Sequence, residues 1–135
     1  MTVYWSDTVR NAVLDAWETA MGTAVKLRIY SGTAPADEAT ALSGNTMLVE
    51  WALASDWAGA AAAGVKALTS TPVAGTGAAA GTATFYRFYN TAGSTCHEQG
   101  SVTATGGGGD MTIDNVVIAS GQTVNVTGFS KTAPH

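Results

Sequence analysis

The chain is short of charge. Asp, Glu, Lys and Arg make up only 12% of its 135 residues, about half the share of an ordinary globular protein. Its surface must therefore be built from Thr, Ser, Asn, Gly and Ala, a composition that suits close packing inside an assembly. The six basic residues, Arg10, Lys26, Arg28, Lys66, Arg87 and Lys131, are scattered, and the net charge is −4. Neutralising phosphates needs clustered Lys and Arg, which argues against a nucleic-acid partner.

Cysteine is nearly absent too. One thiol, Cys96, cannot close an internal disulfide. The opening MTVYWSDTVRN has neither the basic n-region nor the apolar h-region of a secretory signal. No run approaches the roughly 20 apolar residues of a membrane span, and the Ala-rich Ala58 to Val65 is too short and too weakly apolar. The expectation is a protein made in the cytoplasm, with no membrane partner.

Catalytic frames are missing as well. There is no CxxC or HxxxH zinc spacing, no HExxH, no GxSxG and no lysine-centred nucleophile set. The ten carboxylates are spread thinly, with no pair marked for glycoside hydrolysis. Cys96-His97-Glu98 is the one run of reactive residue types. On a regular strand Cys96 and Glu98 share one face and His97 takes the other, so nucleophile and base cannot meet at about 3 Å. GTGAAAG (75–81) lacks the following helix that a phosphate loop requires. GGGGD (106–110) reads as a turn, Asp110 and Asp114 as solvated turn residues rather than Ca²⁺ ligands, and Asn125-Val126-Thr127 as strand alternation. No enzyme activity, catalytic residue, metal ligand or cofactor is expected.

What is present is periodicity. From Asp7 to Met21, the apolar residues Val9, Ala12, Val13, Ala16, Trp17, Ala20 and Met21 form one stripe on a 3.6-residue period. Ser6 is placed to cap this helix and Gly22 to end it. After Gly22 the chain alternates as strands: Val25–Tyr30, Thr46–Leu53, Val65–Leu68, Thr82–Asn90, about Thr95–Thr103, Met111–Ile118 and Thr123–Lys131. Ser31–Asn45 and Thr69–Gly81 read as long loops, fit to order on a partner. The prediction is a single domain over 1–135. An N-terminal arm and amphipathic helix occupy 1–22, and a mainly β, antiparallel sandwich or barrel occupies 23–135.

Aromatic residues mark candidate contacts. The strand Phe85-Tyr86-Arg87-Phe88-Tyr89 is bulky on both faces, so both must be covered. The second cover can be a helix, a loop or a partner subunit; the Asp7–Met21 helix or a neighbouring subunit is expected, which makes Tyr86 and Phe88 possible interface residues. Tyr4 and Trp5, ahead of the helix, suit an interface anchor or a staple on the helix start.

The order of these segments carries a resemblance. LRIYSGTAPAD (27–37), GTATFYRFYNTAGSTCHEQGSV (81–102) and GDMTIDNVVIASGQTVNVTGFS (109–130) together resemble small virion proteins of tailed phages. The chain looks most like the capsid cement, or decoration, proteins of short-tailed phages of the Bordetella type. That resemblance implies a jelly-roll-like β-sandwich on the outside of the head, a homodimer at two-fold positions bridging major capsid protein subunits, and no catalytic residues. Other readings are a tail or head–tail junction protein, and a carbohydrate-binding β-sandwich with Trp51, Trp57 or Tyr89 as stacking platforms.

Overall fold

The structure, a computed structural model, describes residues 1–69 and 73–135. It is mainly β with one N-terminal helix, as the sequence patterning predicts. Helix α1 spans Asp7–Met21. Ser6 Oγ accepts the Val9 N–H at 3.3 Å, satisfying one of the otherwise unpaired N-terminal donors. Gly22, at φ +96°, ends the helix and returns its N–H to the Glu18 carbonyl at 3.0 Å.

The strands are β1 (Lys26–Ser31), β2 (Met47–Ala52), β3 (Val65–Ala67), β4 (Val73–Thr76), β5 (Gly81–Tyr89), β6 (Cys96–Ala104), β7 (Met111–Ile113), β8 (Val117–Ile118) and β9 (Thr123–Thr132). They form one curled sheet in the order β2-β1-β5-β6-β7-β9-β3, with β4 also on β9 and β8 on β5. The curl brings the β2 edge back towards β4. Val49 bridges Gly77, and the Ala78 N–H reaches the Leu48 carbonyl at 2.7 Å. The result is sandwich-like, with one hydrophobic interior inside the curl.

Three departures from the expected strands have local causes. The segment expected as one strand, Met111–Ile118, divides into β7 and β8. There Asp114 turns in to β9, and the Asn115 side chain accepts the Val117 N–H at 2.9 Å. Strand β4 lies within the segment read as a loop, while residues 70–72 of that segment fall outside the described residues. Finally, β7 runs parallel to β6, Val102 opposite Met111, whereas every other pairing in the sheet is antiparallel. A return of only six residues, Thr105–Asp110, suffices because β7 is three residues long.

The interior holds Leu27, Ile29, Leu48, Phe88, Ile113 and Val124, all essentially inaccessible to solvent. Each such side chain contributes about 1.5–3 kcal/mol of transfer free energy. Aromatic rings pack edge-on through it: Trp17 on Trp57 at 5.2 Å, Phe88 on Phe129 at 5.3 Å and Tyr86 on Phe129 at 5.7 Å. Trp51, Trp57 and Tyr89 are also buried. None offers the open ring face that the carbohydrate-binding reading requires.

The second face of β5 is covered by the chain's own loop, which corrects the expectation of a helix or a subunit. Tyr30, Phe85 and Tyr89 form a small cluster under Leu42 and Met47. Arg87 lies beneath the loop and donates to the Asp37 and Thr40 carbonyls at 3.0 and 2.8 Å. Gln99 Nε2 holds the Pro35 carbonyl at 2.9 Å. A buried guanidinium needs acceptors, and the loop's carbonyls supply them. Ser31–Asn45 is therefore a fastened cover rather than a reaching arm.

Candidate interaction site

Cys96-His97-Glu98 is divided more thoroughly than a regular strand would divide it. The β5–β6 ladder pairs Phe88 with Glu98 and Tyr89 with Cys96, which leaves His97 as the extra residue of a bulge. The bulge flips the alternation. Cys96 joins the Tyr30–Phe85–Tyr89 cluster, while Glu98 points to the other face and meets Tyr86. The expectation that Cys96 and Glu98 share a face fails for this reason. Burial pushes the Cys96 thiol above its ordinary range and keeps it protonated, the less nucleophilic form.

Glu98 is the hub of a polar cluster that ties the helix to the sheet. Its carboxylate accepts Tyr86 Oη–H at 2.8 Å, Trp17 Nε1–H at 2.9 Å and the Lys131 ammonium at 2.8 Å. Burial, with the adjacent Glu98 charge and hydrogen bond, drives the Tyr86 hydroxyl far above its ordinary value. These donors occupy three of the roughly four acceptor positions of the carboxylate. The cluster anchors the helix to the sheet.

Two further cations set the rotation of α1. Arg10 is buried and donates to the Ala133 carbonyl (Nη2, 3.2 Å) and the Ala63 carbonyl (Nη1, 3.0 Å), with Asp7 at 3.0 Å. Lys66 on β3 is 3% exposed and meets Asp15 at 2.8 Å and Glu18 at 2.7 Å. Burial alone would lower the Lys66 pKa, but the hydrogen bonds and charges of Asp15 and Glu18 outweigh it and hold the ammonium above its ordinary range.

Because these polar ties must be kept, α1 buries Arg10, Leu14, Trp17 and Met21. Of the stripe read from sequence only Trp17 and Met21 turn inward, and its other five residues face solvent. Val9 and Val13 are 47% and 42% exposed, and Ala12, Ala16 and Ala20 are exposed with them. At about 100° per residue, the buried seam lies roughly 110° around the helix from this apolar face. Sequence reasoning placed Trp17 and Met21 on its stripe and missed Arg10 and Leu14, which complete the seam at helical spacing.

The exposed face continues into the N-terminal arm. Met1, Val3 and Tyr4 are largely exposed and Trp5 partly so, and the arm's one aromatic contact is Tyr4 edge-on to His135 at 5.4 Å. Of the candidate interface residues, Tyr4 and Trp5 are thus at the surface. Tyr86 and Phe88 are not: both are buried in the interior, where Trp57, Phe129 and Glu98 surround them.

No helix among the described residues is long and apolar enough to cross a membrane, and no cluster of three or more His, Cys, Asp or Glu is placed to hold a metal. No protein-family model, curated protein or solved structure matches this chain.

Proposed function

We propose that the chain is a structural protein of a tailed-phage virion, a capsid cement protein that binds the outside of the head and bridges major capsid protein subunits. The observation that carries this reading is the set of exposed large apolar side chains at the N-terminal end, Met1, Val3, Tyr4 and Trp5 of the arm and Val9 and Val13 of α1. Exposed apolar patches of this kind mark protein–protein contacts, and large aromatics among them are the residues that anchor interfaces. The polar groups nearby are consumed in holding the helix to the sheet, so the surface presents shape and apolar area rather than chemistry.

The test is reconstitution. Purified chain is added to expanded heads lacking it, and bound copies are counted by negative-stain and gel densitometry. Several hundred copies in a lattice over the head, with DNA retained to a higher temperature, is the expected result. Val9→Asp with Val13→Asp removes that binding and leaves the circular dichroism spectrum unchanged. Label confined to the neck or tail identifies a head–tail junction or tail protein instead. Equal robustness of heads with and without the chain overturns the cement role.

A further inference from the structure

The sheet has an unfilled position. Strand β7 separates β6 from β9 only at Val102–Ala104 on one side and Val126–Phe129 on the other. Beyond it, no described strand lies between Cys96–Ser101 of β6 and Ser130–Thr132 of β9. A cleft of about 410 Å³ remains there, lined by Tyr86, Gln99, Asp110, Phe129 and Lys131. Lys131 of its lining pairs with Glu98 at 2.8 Å and lies 5.6 Å from the Trp17 ring centroid.

Both walls of the cleft present backbone hydrogen-bonding groups. On β6, Asp110 Oδ2 accepts the Ser101 N–H at 2.9 Å from the cleft side. Strand alternation therefore turns the N–H and C=O of Gln99 to that same side, where no described backbone group meets them. On β9, the Ala133 N–H bonds the Gly64 carbonyl on the β3 edge. Ser130 and Thr132 consequently direct theirs to the opposite edge, into the cleft. Both are solvent-exposed, so water satisfies them in the free chain. Facing edges of this kind accept one extended segment, with backbone pairing on both sides.

The same chain carries such a segment. Met1–Trp5 lies outside any helix or strand, is exposed throughout, bears no charged side chain and is rich in residues favoured in strands. Its five residues span about 17 Å extended, more than the roughly 7 Å from His97 to Gln99 that Asp110 leaves open on β6. We propose that the N-terminal arm of one copy fills the β6–β9 position of a second copy as an added strand. Exchange in both directions gives a closed two-fold dimer, and exchange in one direction gives an open chain of copies. This deepens the cement reading by naming how copies join, and it divides the exposed apolar residues: Met1–Trp5 join copies, and Val9 and Val13 of the helix face are left for the shell.

The test uses the purified chain alone, so its failure is separable from failure to bind heads. Light scattering gives the mass, and amide hydrogen exchange reads Gln99, Ser130 and Thr132. The full chain is expected at twice 13.6 kDa or more, with these three amides slowed at least about tenfold relative to a chain lacking residues 1–5. The shortened chain is expected as a monomer with an unchanged far-ultraviolet spectrum. Ser130→Pro removes one cleft-facing N–H with the arm intact, and is expected to shift the mass towards monomer at equal concentration. A monomeric full chain overturns the proposal; if its cleft amides are protected, the arm occupies its own cleft. A dimer that survives arm removal, or that leaves the three amides unprotected, overturns it too.

Discussion

Trp17 on the helix donates its indole N–H to Glu98 on β6 at 2.9 Å, across 81 positions of sequence. Lys131 sits 5.6 Å above the same indole and pairs with the same carboxylate. One acidic side chain therefore fastens α1, β5, β6 and β9 together.

Glu98→Ala should be among the most destabilising single changes. It leaves the Tyr86 hydroxyl and the Trp17 N–H without their acceptor in a buried setting. Removing one partner from such a network costs about 3–5 kcal/mol. Urea unfolding followed by tryptophan fluorescence measures it, with Glu98→Gln losing less because its amide oxygen still accepts one donor.

Lys66 gives an asymmetric pair of variants. Asp15→Asn with Glu18→Gln strands a buried ammonium and should cost about 3 kcal/mol or more. Lys66→Met leaves Asp15, which is well exposed, free to be solvated and should cost clearly less. The folded pKa of Lys66 lies above its unfolded value, so its contribution is complete below the unfolded pKa and disappears as pH rises through the folded one. The stability gap between wild type and Lys66→Met should narrow in strongly alkaline urea titrations.

Asp110 is one of three aspartates, with Asp37 and Asp114, that contribute on the acid side. Backbone and side-chain hydrogen bonds from Ser101 hold its carboxyl below the ordinary range. A depressed folded pKa gives stability that is present above the unfolded value and lost as pH falls through the folded one. Asp110→Asn should therefore be less stable than wild type at pH 7, and the difference should close in acid melts.

Gly64→Ala should unseat the helix start. Gly64 has φ +74°, and an added Cβ would lie 2.0 Å from Arg10 Cζ. Strain at a left-handed position together with a displaced buried guanidinium should cost about 2–4 kcal/mol. Thermal melts measure the loss, and Arg10→Ala in the same background should show strong non-additivity.

Cys96 should be slow towards thiol reagents. Its thiol is half-buried against Tyr89 and held protonated. Labelling with a disulfide reagent at pH 8 should run at least about tenfold slower in the native chain than in urea. Labelling at equal rates in both conditions contradicts the packed placement.

The sequence by itself determined the local elements. Ser6 and Gly22 delimit the helix, and strict alternation marks Val25–Tyr30, which overlaps β1, because capping and side-chain period are properties of neighbouring residues. It determined the chemistry that is lacking for the same reason: motif spacing is local. Only the tertiary structure decided which faces meet. Arg10, Lys66 and Glu98 find partners 53, 51 and 81 positions away, and the need to pair buried charge turned Val9, Ala12, Val13, Ala16 and Ala20 outward while Trp17 and Met21 stayed inside. Likewise a one-residue bulge at His97, set by strand register, placed Cys96 and Glu98 on opposite faces. Apolar spacing names the stripes a helix can bury. Long-range pairing of buried polar groups selects the one it does.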